Sequence, residues 1–118
     1  MHKNLNVWQK GMDLVVAIYE ATRHFPQQEM YGLTNQMRRA AVSISSNIAE
    51  GAARQTIKEY IQYLYIALGS LKELETQLIL TLRLEYVSEK EYNKLTESID
   101  DIGKMLIGLI RHLKKKNN

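Results

Sequence analysis

Three histidines are the first place to look for chemistry in this chain: His2, His24 and His112. Glu20 and His24 stand four residues apart. At that spacing one helix face can present two metal ligands, provided more lie nearby. No Glu-x-x-His pair occurs, so the di-iron pattern of helical bundles is absent. Glu20–His24 therefore reads as a surface pair at a helix end, with His2 at the terminus and His112 beside a lysine run. The chain has no cysteine, which excludes disulfides, thiol catalysis and thiolate metal sites. Phosphate-loop, dinucleotide, zincin and nucleophile-elbow patterns are missing as well. Gly69-Ser70 lies inside a helical pattern, and Ser43, Ser45 and Ser46 fit packing positions better than nucleophiles. No catalytic residue, metal or cofactor is expected, and the chain reads as a non-enzyme.

One carboxylate breaks the pattern. Glu75 stands between Leu71 and Leu78 at what reads as a seam position, where an unpaired charge would be expensive. Its partners are expected on the second helix, where Arg39, Ser43, Ser46 and Glu50 fall on one side and Gln36 and Asn47 lie beside them. The expected use is a structural polar network of Arg39, Ser43, Asn47, Glu50 and Glu75, with Arg39 first in line to pair with Glu75. A small-molecule or metal site around Glu75 is the weaker alternative.

The elements that must position these residues are helices. Apolar spacing is near 3.6 throughout, and no stretch alternates with period 2. A first helix over about 5–24 would place Trp8, Met12, Val15, Tyr19 and Thr22 along one side, with Asn6 as N-cap and Gln9 three residues on. Phe25-Pro26 stops it. A second, over about 30–50, carries the stripe Leu33, Met37, Ala41, Ile44 and Ile48 and ends at Gly51. A third, over about 56–84, opens on the capping box Thr56-Ile57-Lys58-Glu59, and a fourth, over about 88–116, on Ser88-Glu89-Lys90-Glu91. Their apolar residues recur near every 3.5 positions, the period of a bundle seam. Short connections make neighbours antiparallel. The expected fold is all-α: one domain over 1–118, an up-down-up-down antiparallel four-helix bundle.

The 118 residues are 45% hydrophobic and 25% charged, ordinary globular usage that excludes a disordered chain. No apolar run reaches the ~18 residues of a membrane span, and the N-terminus lacks a secretory signal. A cytoplasmic protein with no membrane contact is expected. The third helix is apolar over more than one stripe, with Tyr60, Tyr63, Ile66, Ala67, Leu74 and Leu80 outside its main seam. The second carries Ala40, Ala41, Ser43, Ser45, Ser46 and Ala49, which permit close approach. Both features point to a homo-oligomer.

Charge placement is the most informative functional signal. Net charge is +3. In an up-down bundle the N-terminus, the second connection and the C-terminus share one end. Lys3, Lys10, Arg54, Lys58, Arg111, Lys114, Lys115 and Lys116, against Glu50 and Glu59, give that end a formal +6. The opposite end comes to −1. A basic end can hold phosphates, although lysines at a helix C-terminus also complement its dipole. The candidate nucleic-acid-binding residues are Arg54, Arg111, Lys114, Lys115 and Lys116. The chain offers no helix-turn-helix, stacking motif or zinc module, so RNA or DNA would be held without sequence readout.

The stretch YGLTNQMRRAAVSISSNIAEGAARQ, followed by EYIQYLYIALGSLKELETQL, resembles the bacterial four-helix bundle family of the protein encoded in intervening sequences of 23S rRNA genes. The opening LNVWQKGMDLVVAIYEATRHFP is similar to that family's start. Carried over, the signature residues are Arg39, Asn47, Glu50, Gly51, Arg54, Gly69, Ser70, Glu73 and Glu75. The family often has proline where this chain has Ser45. The resemblance implies an up-down bundle assembled as a homopentameric ring, with no known activity or cofactor and a suspected role at nucleic acid. Related bundles serve as accessory proteins that bind a reverse transcriptase. A protein-binding adaptor or scaffold is thus the alternative to RNA binding.

Overall fold

The computed structural model describes residues 2–117. Four α-helices carry the fold: α1 (Asn6–Thr22), α2 (Leu33–Ala52), α3 (Ile57–Arg83) and α4 (Glu89–Lys116). The two capping signals sit where the sequence puts them. Ser88 Oγ accepts from the Glu91 amide at 3.1 Å, and Glu91 Oε1 accepts from the Ser88 amide at 3.1 Å, a complete capping box. At α3 the box is only half made. Thr56 Oγ1 accepts from the Glu59 amide, but its hydroxyl donates to Glu59 Oε1 at 2.9 Å, so the carboxylate does not reach the Thr56 amide.

Other boundaries differ from expectation. Leu5, not Asn6, is the N-cap of α1, and no side chain caps that end. Gln9 reaches back to the Lys3 carbonyl instead, at 2.9 Å. α2 starts at Leu33, three residues later than expected, because a 3₁₀ turn over Gln27–Glu29 comes first. Gly32 has no side chain with which to cap, and Glu29 Oε1 takes its place by accepting from the Leu33 amide at 3.2 Å. Gly51 is not the stop of α2. It lies inside the helix, which runs on to Ala52 and ends on Ala53 in the right-handed region. Its role is close approach, since a Cβ there would meet Tyr63 Cβ at 2.8 Å and the Tyr60 carbonyl at 3.2 Å.

The helices form a square. Each packs on the two beside it, α1 on α2, α2 on α3, α3 on α4 and α4 on α1, and the diagonal pairs do not meet. The seam between α2 and α3 is the most extensive. Small residues explain this: Ala40, Ala41 and Ala67 are all buried there, so the backbones can approach. The molecule measures 48 × 24 × 21 Å. Ile18, Met37, Ile44, Ile48, Leu64, Leu71, Leu74, Leu78, Ile102 and Leu106 fill the axis.

Two expected stripes are rotated. α1 buries Val7, Gly11, Leu14, Ile18 and Thr22, and it leaves Met12 and Tyr19 exposed. The core side of α3 includes Ala67 and Leu74, both expected outside its seam, whereas Ile66 and Leu80 do face solvent.

Candidate nucleic-acid interface

Two surfaces hold the polar side chains of interest: the end of the bundle that carries the α2–α3 turn and the α4 C-terminus, and the outward side of α2. At the end, Arg111, Lys115 and Lys116 are exposed, and no carboxylate among the described residues lies within 4 Å of them. The other two candidates are engaged. Lys114 Nζ donates to the Tyr65 hydroxyl at 2.7 Å and lies 5.2 Å from the centre of that ring, which pins α4 to the first turns of α3. Arg54 pairs with Glu50 at 2.7 Å and donates to the Glu50 carbonyl, with its guanidinium 5.1 Å from the Tyr63 ring. The Glu50 carboxylate is thereby neutralised, and the end keeps its excess of positive charge.

The expected polar network divides into separate pieces. Ser43 and Ser70 share a hydrogen bond of 2.9 Å across the α2–α3 seam. Asn47 Nδ2 donates to the Ser43 carbonyl at 2.8 Å and to Ser43 Oγ at 3.0 Å. Glu50 belongs to the exposed ion pair just described. Glu75 joins none of these. It is half-exposed, pairs with Lys72 at 3.7 Å, and lines a groove between α3 and α4 with Leu68, Asp100 and Lys104.

The expected Arg39–Glu75 pair is therefore corrected. Arg39 lines a depression on the opposite flank of α3, together with Ser70 and Glu73. Residues two positions apart on a helix point about 200° apart, so the carboxylate of α3 turned toward α2 is Glu73. The true buried neighbours of Leu78 and Leu71 are Leu74 and Gln77.

Several polar features were not anticipated. Arg38 Nε donates to Thr22 Oγ1 at 2.9 Å and Nη2 to the Tyr19 carbonyl at 3.4 Å, with the guanidinium 4.5 Å above the Tyr19 ring. Among the described residues, two buried polar atoms find no partner, Ser45 Oγ and Gln77 Oε1. The Tyr86 hydroxyl donates to Glu29 Oε2 at 2.9 Å, and this bond holds the Tyr86 hydroxyl pKa above its ordinary value of 10.0, with burial and the carboxylate charge adding to the effect. Among the described residues no group of three His, Cys, Asp or Glu side chains could hold a metal ion, and no helix is long and apolar enough to cross a membrane.

A square antiparallel bundle with a basic end and a polar α2 flank is the class of protein that fold and surface define. The profile of the 23S rRNA-intervening sequence protein family matches residues 3–108, and the chain belongs to that family. Its fold is similar to that of a protein with unknown function from the S23 ribosomal protein family of Bacteroides thetaiotaomicron VPI-5482. The two are 29% identical, with a TM-score of 0.83 over 94% of this chain and 99% of the other. No curated protein matches significantly.

Proposed function

We propose that this chain is a non-enzymatic, self-associating helical bundle that binds nucleic acid through its basic end without reading sequence. One observation carries the reading: Arg111, Lys115 and Lys116 are exposed at one end and have no carboxylate partner among the described residues. Phosphate contacts of this kind supply affinity that is independent of sequence. Self-association is supported by the outward side of α3, where Ile66 is 51% and Leu80 46% exposed. Gly69 lies on the same side, and a Cβ there would meet nothing within 4 Å. A glycine inside a helix costs about 1 kcal/mol relative to alanine, so its place there suits a second surface coming close. A homopentameric ring, which the family resemblance implies, would gather the basic ends of its subunits on one face.

The exposed Tyr65, Ile66 and Leu80 also suit a protein partner such as a reverse transcriptase, the second reading. Filter binding of mixed-sequence RNA and DNA across salt tests the first. Binding should weaken steeply with salt, and the Arg111→Gln/Lys115→Gln/Lys116→Gln variant should lose most of it. Absent binding at low salt, or an unaffected variant, moves the assignment to the protein adaptor. Light scattering at micromolar concentration should give several times 13.7 kDa, and a persistent monomer rejects self-association.

A further inference from the structure

The α1–α2 flank carries a polar depression, at the opposite half of α2 from the basic end. An open depression of about 510 Å³ is lined by Tyr19, Asn35, Arg38, Arg39, Val42 and Ser43. Its lining holds two guanidiniums, an amide and two hydroxyls, and it contains no carboxylate. Glu20 and Asp13 line grooves between α1 and α4. Glu73 lines the adjoining depression on the α3 side, which shares Asn35, Arg39 and Ser43, but its carboxylate is not within 4 Å of the Arg39 guanidinium.

The two arginines differ in a way that suits a ligand. Arg38 is held on the Tyr19 ring and tied to Thr22 Oγ1 and the Tyr19 carbonyl through Nε and Nη2. Its side chain is already ordered, so a ligand at its remaining nitrogen does not have to immobilise it. Arg39 is exposed and, among the described residues, makes no side-chain hydrogen bond and has no carboxylate within 4 Å. A guanidinium matches phosphate oxygens two at a time. Asn35 and Ser43 add neutral groups that bond equally well to phosphate or sugar.

We propose that this depression binds a phosphate group, free or esterified, through Arg39 and Arg38. Arg39 stands thirteen residues before Ala52, where α2 ends at the basic end, about 20 Å along the helix and beyond the ~8 Å Debye length at physiological salt. The site thus goes beyond the basic-end reading and can fail or succeed without it.

The test uses the full chain and three probes: inorganic pyrophosphate, a ten-nucleotide single-stranded RNA and a decaglutamate peptide. Arg39→Gln removes an exposed, unpartnered side chain, and an unchanged thermal unfolding curve will show that the fold survives. For wild type, binding of pyrophosphate or RNA is expected, weakened roughly tenfold by Arg39→Gln, the size of one charge-assisted hydrogen bond. The logarithmic salt slope for RNA should also fall by about 0.7, one phosphate contact on a single strand. Arg83→Gln, on another exposed arginine, should change neither. Pyrophosphate bound through Arg39 identifies a small phosphate ligand, whereas RNA bound through Arg39 without pyrophosphate identifies a strand backbone. Phosphate binding indifferent to Arg39→Gln overturns the proposal, as does Arg39-dependent binding of decaglutamate alone. If Arg39→Gln has no effect but the Arg111→Gln/Lys115→Gln/Lys116→Gln variant loses RNA, the basic end stands and this site falls.

Discussion

A β-carbon on Gly51 would lie 2.8 Å from the β-carbon of Tyr63, closer than real side chains pack. α2 and α3 therefore cross at this point with nothing between them but hydrogen, at the residue that directly follows Glu50 of the Arg54–Glu50 pair. The obstruction is a rigid part of Tyr63 together with the Tyr60 carbonyl, so neither can swing aside. Gly51→Ala should lower stability by about 1–3 kcal/mol, the usual range for overpacking. Chemical denaturation checks it. Gly108→Ala, where a Cβ meets nothing, should instead raise stability by up to about 1 kcal/mol through helix propensity.

Gly11 and Ser45 form a second close pair, between α1 and α2. A Cβ on Gly11 would fall 2.6 Å from Ser45 Oγ, but 3.8 Å from the next nearest atom, Ser45 Cβ. That hydroxyl is buried and has no hydrogen-bond partner. Ser45→Ala should thus be neutral or gain up to about 1 kcal/mol, since it removes an unsatisfied group. Gly11→Ala alone should lose about 1 kcal/mol. The double variant should be at least as stable as Ser45→Ala, and a double-mutant cycle will read the coupling.

Glu75→Gln should change stability by less than about 0.5 kcal/mol. The carboxylate is half-exposed and its Lys72 partner is an exposed neighbour at 3.7 Å, a class of pair worth little. A loss near the ~3–5 kcal/mol of a broken buried pair would mean that Glu75 is covered in the assembled protein. Urea unfolding at two protein concentrations separates the cases.

Tyr86 supplies a pH dependence. Its folded pKa is raised above 10.0, chiefly by the hydrogen bond to Glu29. A raised pKa means that the neutral hydroxyl is favoured in the fold. Its contribution is complete below the unfolded value and is lost as pH rises through the higher folded one. Tyr60, raised by burial, acts in the same alkaline window. Tyr86→Phe should therefore reduce, without abolishing, the loss of stability as pH rises above about 10. Denaturation midpoints across that range check it.

The helices were legible because caps and apolar periods are local. Ser88 with Glu91 and Thr56 with Glu59 carry their own geometry, and Met37, Ala41, Ile44 and Ile48 are the buried stripe that spacing predicts. The errors arise where neighbouring helices decide. α1 has apolar residues on several sides, so its buried side depends on how α2 and α4 meet it, and Val7, Leu14 and Ile18 won over Met12 and Tyr19. Glu75 satisfied a seven-residue repeat with Leu71 and Leu78 in mind. The helix buries a broader band, however, and Leu74 fills the place assigned to the carboxylate. Gly51 looked like a stop because glycine usually serves there, and its actual constraint comes from Tyr60 and Tyr63 on another helix. The basic end needed only topology and a count of charges. The Arg38–Tyr19 stack needed the α1–α2 rotation, which no spacing rule contains.

Because each helix packs only on its neighbours around the square, three of its four seams join segments consecutive in the chain. Loop closure between consecutive helices is entropically cheap, and chains dominated by such local pairing fold fast. The α1–α4 seam alone must bring distant segments together, and it is the slightest of the four. We predict that it closes after the folding barrier has been crossed. Leu14, which lines the groove between α1 and α4 together with Ile102, should then show a low φ-value. Leu14→Ala should speed unfolding severalfold and leave the refolding rate nearly unchanged in stopped-flow measurements. A slowed refolding limb would place α1–α4 docking in the nucleus. With late closure, α1 would be the segment that opens first from the native bundle, exposing Leu14 and Ile18 while α2 to α4 stay paired.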